Sequence, residues 1–132
     1  MKASLVKQTQ KDVLMLRKIF SRRKHSRYHA KEKTFIVFQP FTPDEQRLQI
    51  IDISEGGCAF IYTGEERDLE AMCQVNLMSD NLHHVEGLHL SKVRDQHVSG
   101  PFRRRGVEFQ WLGALDKEKL KKFIDQVSLC RC

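Results

Sequence analysis

No stretch of the 132-residue sequence approaches the ~18–20 consecutive apolar residues of a membrane-spanning helix. The opening residues, MKASLVKQTQKDVLMLRK, contain no continuous apolar segment followed by a small-residue cleavage site, the pattern of an export signal. A soluble, cytoplasmic protein is therefore expected. Cysteine is scarce: Cys58, Cys73, Cys130 and Cys132 are too few and too irregularly spaced for a disulfide framework, and none forms C-x-x-C. Cys58 sits in an apolar run and reads as a small core residue, whereas Cys130 and Cys132 fall at what reads as a frayed end.

The sequence also lacks the combinations that carry catalysis. There is no Ser/His/Asp or Cys/His order, no phosphate-binding glycine loop and no paired-carboxylate site, so an enzyme is not expected. His83, His84, His89 and His97 have neither i,i+4 helical spacing nor an accompanying Cys or carboxylate pattern, and no metal is expected.

What is present suffices for one compact domain. An apolar fraction of 40%, with eight Phe, one Trp and two Tyr, can build a core without staples. The net charge of +6 is unevenly spread: residues 17–33 (RKIFSRRKHSRYHAKEK) carry +7, leaving the other 115 residues at −1. Such a chain reads as a neutral domain with one local anion site.

In residues 4–20, Val6, Val13, Leu16 and Phe20 recur at helical spacing, which predicts an amphipathic N-terminal helix within segment 1–20 whose stripe is covered by the protein's own body, a second copy or a partner. Residues 21–33 lose that periodicity and read as an exposed, mobile basic arm. Short β-branched or aromatic runs follow at 34–39 (TFIVFQ), 48–53 (LQIIDI), 58–62 (CAFIY), 74–78, within 85–93, and at 106–111 (GVEFQW). Six short strands without crossover helices predict an all-β core, a small antiparallel β-barrel spanning 34–111. Residues 54–57 (SEGG) read as a tight hairpin with glycine supplying positive φ, and Arg103, Arg104 and Arg105 as an exposed basic turn. A C-terminal helix is expected over 116–129, capped by Asp116, with Leu120, Phe123, Ile124 and Val127 on one face.

Two motifs stand about 25 residues apart. Arg23-Lys24-His25-Ser26-Arg27 is an R-x-x-x-R in the arm; Asp52-Ile53-Ser54-Glu55-Gly56-Gly57 is a D-x-S-x-x-G leading from a strand into the hairpin. Together with the basic arm, the six-strand order and the closing G-V-x-F strand before a helix, they make the sequence resemble the PilZ domain, a bacterial receptor module for cyclic di-GMP, over 21–127. The resemblance implies a PilZ-like domain at 21–132 and a ligand site of Arg23, Arg27, Asp52, Ser54 and Gly57. It implies a role for Arg22 as well, since an arginine there goes with two intercalated messenger molecules and an apolar residue with one.

The residue chemistry suits such a ligand. A cyclic dinucleotide presents two phosphodiester charges and two guanines whose O6 and N7 accept a guanidinium fork. Arginines four apart on an extended arm stand up to ~13 Å from each other and can grip opposite sides of one folded nucleotide. Asp52 and Ser54 have the same parity, so both leave one strand face: the carboxylate can accept guanine N–H donors and the hydroxyl a further bond. Gly57 would let ligand and backbone approach closely. Glu55 repels phosphate and should face solvent or pair with an arm cation.

The expected function is thus a cyclic di-GMP receptor or adaptor that closes its arm on the dinucleotide. With no room for a fused output domain, it would signal by protein–protein contact or as a homodimer through the N-terminal helix. Cyclic di-GMP is the expected ligand, and no cofactor is expected. The competing readings are a nucleic-acid-binding module using the arm and Arg103, Arg104 and Arg105, and a PilZ-like interaction domain without ligand.

Overall fold

The structure, a computed structural model, describes residues 25–65, 69 and 74–132. The helix expected within 1–20 and the motif residues Arg22 and Arg23 lie outside these.

Among the described residues eight strands and one helix follow in chain order: β1 (Tyr28–Ala30), β2 (Thr34–Phe38), β3 (Gln46–Ile53), β4 (Gly57–Thr63), β5 (Gln74–Ser79), β6 (Leu82–Ser99), β7 (Phe102–Gln110), α1 (Ala114–Val127) and β8 (Ser128–Arg131). All pairings are antiparallel. Strands β2, β5, β6, β7, β4 and β3 lie side by side in that order, and β3 returns to β2, closing a six-stranded barrel. Closure leaves the barrel without the free edges that invite aggregation.

Alternation sets which side chains go inside. Ile36 and Phe38 of β2, Cys58, Phe60 and Tyr62 of β4, and Val107 and Phe109 of β7 are buried in one cluster with Ile50, Ile53, Leu77, Val85 and Leu88. One face of α1 closes this interior, with Leu120, Phe123, Ile124 and Val127 all buried. Each such side chain contributes about 1.5–3 kcal/mol.

Several expectations change. Helix α1 runs two residues ahead of the anticipated span, and its N-cap is Gly113, extended and with no side-chain cap bond; Asp116 lies in the first turn, where its charge suits the helix dipole. The helix starts early because Ala114 and Leu115 are good helix formers. It stops at Val127 because Ser128 is extended and the chain enters β8.

The C-terminus is accordingly not frayed. β8 pairs with β1, and β1 pairs with β3, Tyr28 opposite Ile53 and His29 opposite Asp52. The second half of the presumed mobile arm is thus a strand, with Tyr28 and Ala30 packed against the core. It is clasped further by Lys31 N–H donating to Val127 O at 2.8 Å, Cys132 N–H to Arg27 O at 2.8 Å and Arg131 Nη2 to Ser26 Oγ at 2.7 Å.

β6 and β7 are longer than their apolar runs, turning at Gly100 (φ 54°) and continuing through polar sequence. Arg103, Arg104 and Arg105 are not an exposed turn but lie within β7. Asp95, its side chain 1% exposed, accepts from Arg103 Nε at 2.7 Å, from Arg105 Nε at 2.8 Å and from the Tyr62 hydroxyl. Arg105 is itself buried, its guanidinium 5.6 Å from the Tyr62 ring centre. Burial acts to raise the Asp95 carboxyl, but the Tyr62 hydroxyl, Arg105 and Arg103 outweigh it and hold the group below its ordinary range. Burial first, and the Asp95 carboxylate next, push the Tyr62 hydroxyl up.

Candidate functional site

The turn joining β3 to β4 is built from its own polar groups. Ser54 N–H donates to Gly57 O at 2.8 Å, Gly56 N–H donates to Ser54 Oγ at 3.1 Å, and Ser54 Oγ donates to Gly57 O at 3.3 Å. No residue of 54–57 has positive φ, so glycine does not serve the turn in the expected way. Gly57 serves it through space: a Cβ there would lie 1.9 Å from Val107 O, inside the neighbouring backbone. Any side chain at 57 would push β4 off β7, while the close approach lets Phe109 N–H reach Gly56 O at 2.9 Å. The close neighbour that requires glycine at 57 is the backbone of β7.

The turn and the arm meet in a cleft of about 530 Å³, lined by Arg27 and His25 from the arm and by Asp52, Ser54 and Gly57. The volume lies within the ~300–1,000 Å³ typical of small-molecule sites. Four sequence-assigned residues, Arg27, Asp52, Ser54 and Gly57, therefore share one cavity; Arg22 and Arg23 lie outside the described residues. Lys24 also does, and His25 is exposed yet sets its ring so close over Gly56 that a Cβ there would be 2.9 Å from Cδ2. Glu55 is half-buried and does not line the cleft.

Charge is arranged unequally across the site. Asp52 Oδ2 accepts from Arg104 Nη2 at 2.7 Å, so the carboxylate is already half-committed, leaving Oδ1 to accept from a ligand. Arg104, which the sequence reading places in a solvent-facing basic turn, is instead a cleft wall held by this pair, and its side chain keeps 36% exposure. Arg27 anchors the arm through its backbone carbonyl, while its guanidinium has no hydrogen-bond or ion-pair partner among the described residues. The cleft thus combines an uncommitted planar cation, a second cation oriented by a carboxylate, and acceptor oxygens. That set suits an anionic ligand carrying N–H donors. Arg94 and Gly106, which the sequence analysis does not assign to the ligand site, line it too. A glycine inside a strand run was the available signal for the latter.

Among the described residues no group of three or more His, Cys, Asp or Glu side chains is placed to hold a metal ion, and no helix is long and apolar enough to cross a membrane.

The family model described as the PilZ domain matches residues 21–126, and the protein belongs to the PilZ domain family. Among solved structures, apo MrkH of K. pneumonia is similar with a TM-score of 0.62 and 14% identity, over 82% of this chain and 49% of MrkH. YcgR of Escherichia coli in complex with c-di-GMP gives a TM-score of 0.60 and 17% identity, over 80% of this chain and 45% of YcgR. The PilZ domain of the same YcgR with c-di-GMP gives 0.55 and 18%, over 80% of this chain and 91% of that domain. The chain spans about half the length of MrkH and YcgR. A comparison with curated proteins finds no match.

Proposed function

We propose that the protein is a non-catalytic receptor for cyclic di-GMP that binds the dinucleotide between its basic arm and the Asp52/Ser54 edge. The observation that carries this reading is the cleft itself, in which Arg27 of the first motif faces Asp52, Ser54 and Gly57 of the second. MrkH and YcgR, similar in fold, have been captured with c-di-GMP. In this reading Arg23 and Arg27 hold phosphate and guanine edges, Asp52 Oδ1 accepts guanine N–H groups, and Arg22 favours two intercalated messengers per chain. Because β8 and β3 fix residues 28–30, only the part of the arm that precedes them is left to close on the ligand. The output is protein–protein contact or self-association through the amphipathic segment 1–20.

The nucleic-acid reading loses the solvent-facing triplet it drew on, since Arg103 and Arg105 bind Asp95 and Arg104 binds Asp52. Titration calorimetry with cyclic di-GMP, cyclic di-AMP and duplex DNA separates the readings. The receptor is expected to bind cyclic di-GMP, with two molecules per chain, and to ignore the other two. Binding to duplex DNA of any sequence, falling steeply with salt, would favour the polymer reading instead.

A further inference from the structure

Strand register places five residues in one row across the outer face of the barrel. His29 of β1 is opposite Asp52 of β3, Asp52 opposite Ala59 of β4, Ala59 opposite Gly106 of β7, and Gly106 opposite Arg94 of β6. Residues directly opposed on neighbouring strands share a face. With strands about 4.8 Å apart, the Asp52 and Arg94 backbones stand roughly 14 Å from each other. Between them lie only a methyl group and a hydrogen, and all four positions from Asp52 to Arg94 line the cleft.

Gly106 has no internal reason to be glycine. Its φ is not positive, and a Cβ built on it meets nothing within 4 Å, in contrast to Gly57. A glycine inside a strand gives up side-chain packing and marks a bulge, a tight bend or a close approach; the bulge opposite Gly106 takes its extra residue from β6, between Lys92 and Arg94, and with neither positive φ nor crowding at 106, close approach by a ligand is the use that this position serves. Arg94, at the far end of the row, is exposed and has no hydrogen-bond or ion-pair partner among the described residues. Its planar guanidinium is free to bind phosphate or to stack on a purine.

Resting on the receptor reading, we infer that the Ala59–Gly106 step is a platform on which one guanine face of cyclic di-GMP lies, and that Arg94 grips the ligand from the side opposite Asp52. A flat base can settle onto backbone there, whereas a larger side chain at either position would lift it out of reach of Asp52 Oδ1. The size of the residue at 106 thus determines whether the ligand is admitted.

The test is calorimetry with cyclic di-GMP and thermal melting on wild type, Gly106→Val and Arg94→Ala. A β-branched residue suits an open strand position, so Gly106→Val is expected to melt at or above the wild-type temperature yet bind about 10-fold or more weakly. Arg94→Ala is expected to melt like wild type and lose about 10-fold in affinity, the low end for a charge-assisted contact. Wild-type affinity in a folded Gly106→Val chain overturns the platform and leaves the receptor reading standing. Loss of cooperative melting in that variant contradicts the open position and overturns the platform too. Wild-type affinity in Arg94→Ala removes the arginine contact alone. Absence of binding by wild type defeats the receptor reading, and the platform with it.

Discussion

Replacing Arg23 and Arg27 together by alanine is expected to weaken cyclic di-GMP binding by about 100-fold or more, with the melting transition little changed. A hydrogen bond to a charged group is worth ~1.5–3 kcal/mol, so two arginines contribute at least ~3 kcal/mol, and each ~1.4 kcal/mol is a decade of affinity. The fold should survive because the structural work at position 27 is done by its backbone, whose carbonyl accepts from Cys132 N–H while the guanidinium has no partner among the described residues. Asp52→Ala and Ser54→Ala should each cost less: Asp52 already spends one oxygen on Arg104, and the Ser54 hydroxyl is engaged in its own turn. Calorimetry on the folded double variant decides the matter. Wild-type affinity there would refute the assigned site.

Asp95→Ala should be the most destabilising single change in the β6–β7 hairpin, at about 3–5 kcal/mol, because it strips the shared counter-charge from two guanidinium groups and a hydroxyl. For a domain of this size that is a fall in melting temperature of at least roughly 10–15 °C. The pH dependence has a definite sign. The folded carboxyl titrates below its unfolded value of about 4, so its contribution is present above that pH and is lost as pH falls through the lower, folded value. Tyr62 acts at the other end: its raised hydroxyl supports the fold below about pH 10 and ceases to do so as pH climbs through the folded value. Urea unfolding at neutral pH and an acid titration of wild type against Asp95→Ala check both statements. A variant that melts within a few degrees of wild type would mean that the cluster is not a structural unit.

The barrel was legible in the sequence where one side of a strand is apolar. TFIVFQ, LQIIDI, CAFIY and GVEFQW each supply inward residues at the right parity, and the helix announced itself through Leu120, Phe123, Ile124 and Val127. What stayed hidden lacks that signature. β1 and β8 are three and four residues long and are strands because they pair with each other and with β3. The far half of the β6–β7 hairpin buries Asp95 and Arg105 against Tyr62 of β4, with Arg103 half-buried beside them, in place of aliphatic residues, and hydropathy reads that as a turn. Bulges between Ile50 and Asp52 and between Lys92 and Arg94 reset the alternation, so the row from Asp52 to Arg94 emerges only from the register. The motif residues were legible as types and spacing. The Asp52–Arg104 pair, 52 residues apart in sequence, was not.

The central claim is that cyclic di-GMP sits between the arm and the β3–β4 turn, and hydrogen exchange with and without saturating ligand tests it most directly. The account predicts slowed exchange over residues 18–27 and 54–57 on binding, with residues 28–30 protected in both states by β3 and β8. Unchanged exchange in both responsive segments while calorimetry registers binding would contradict it.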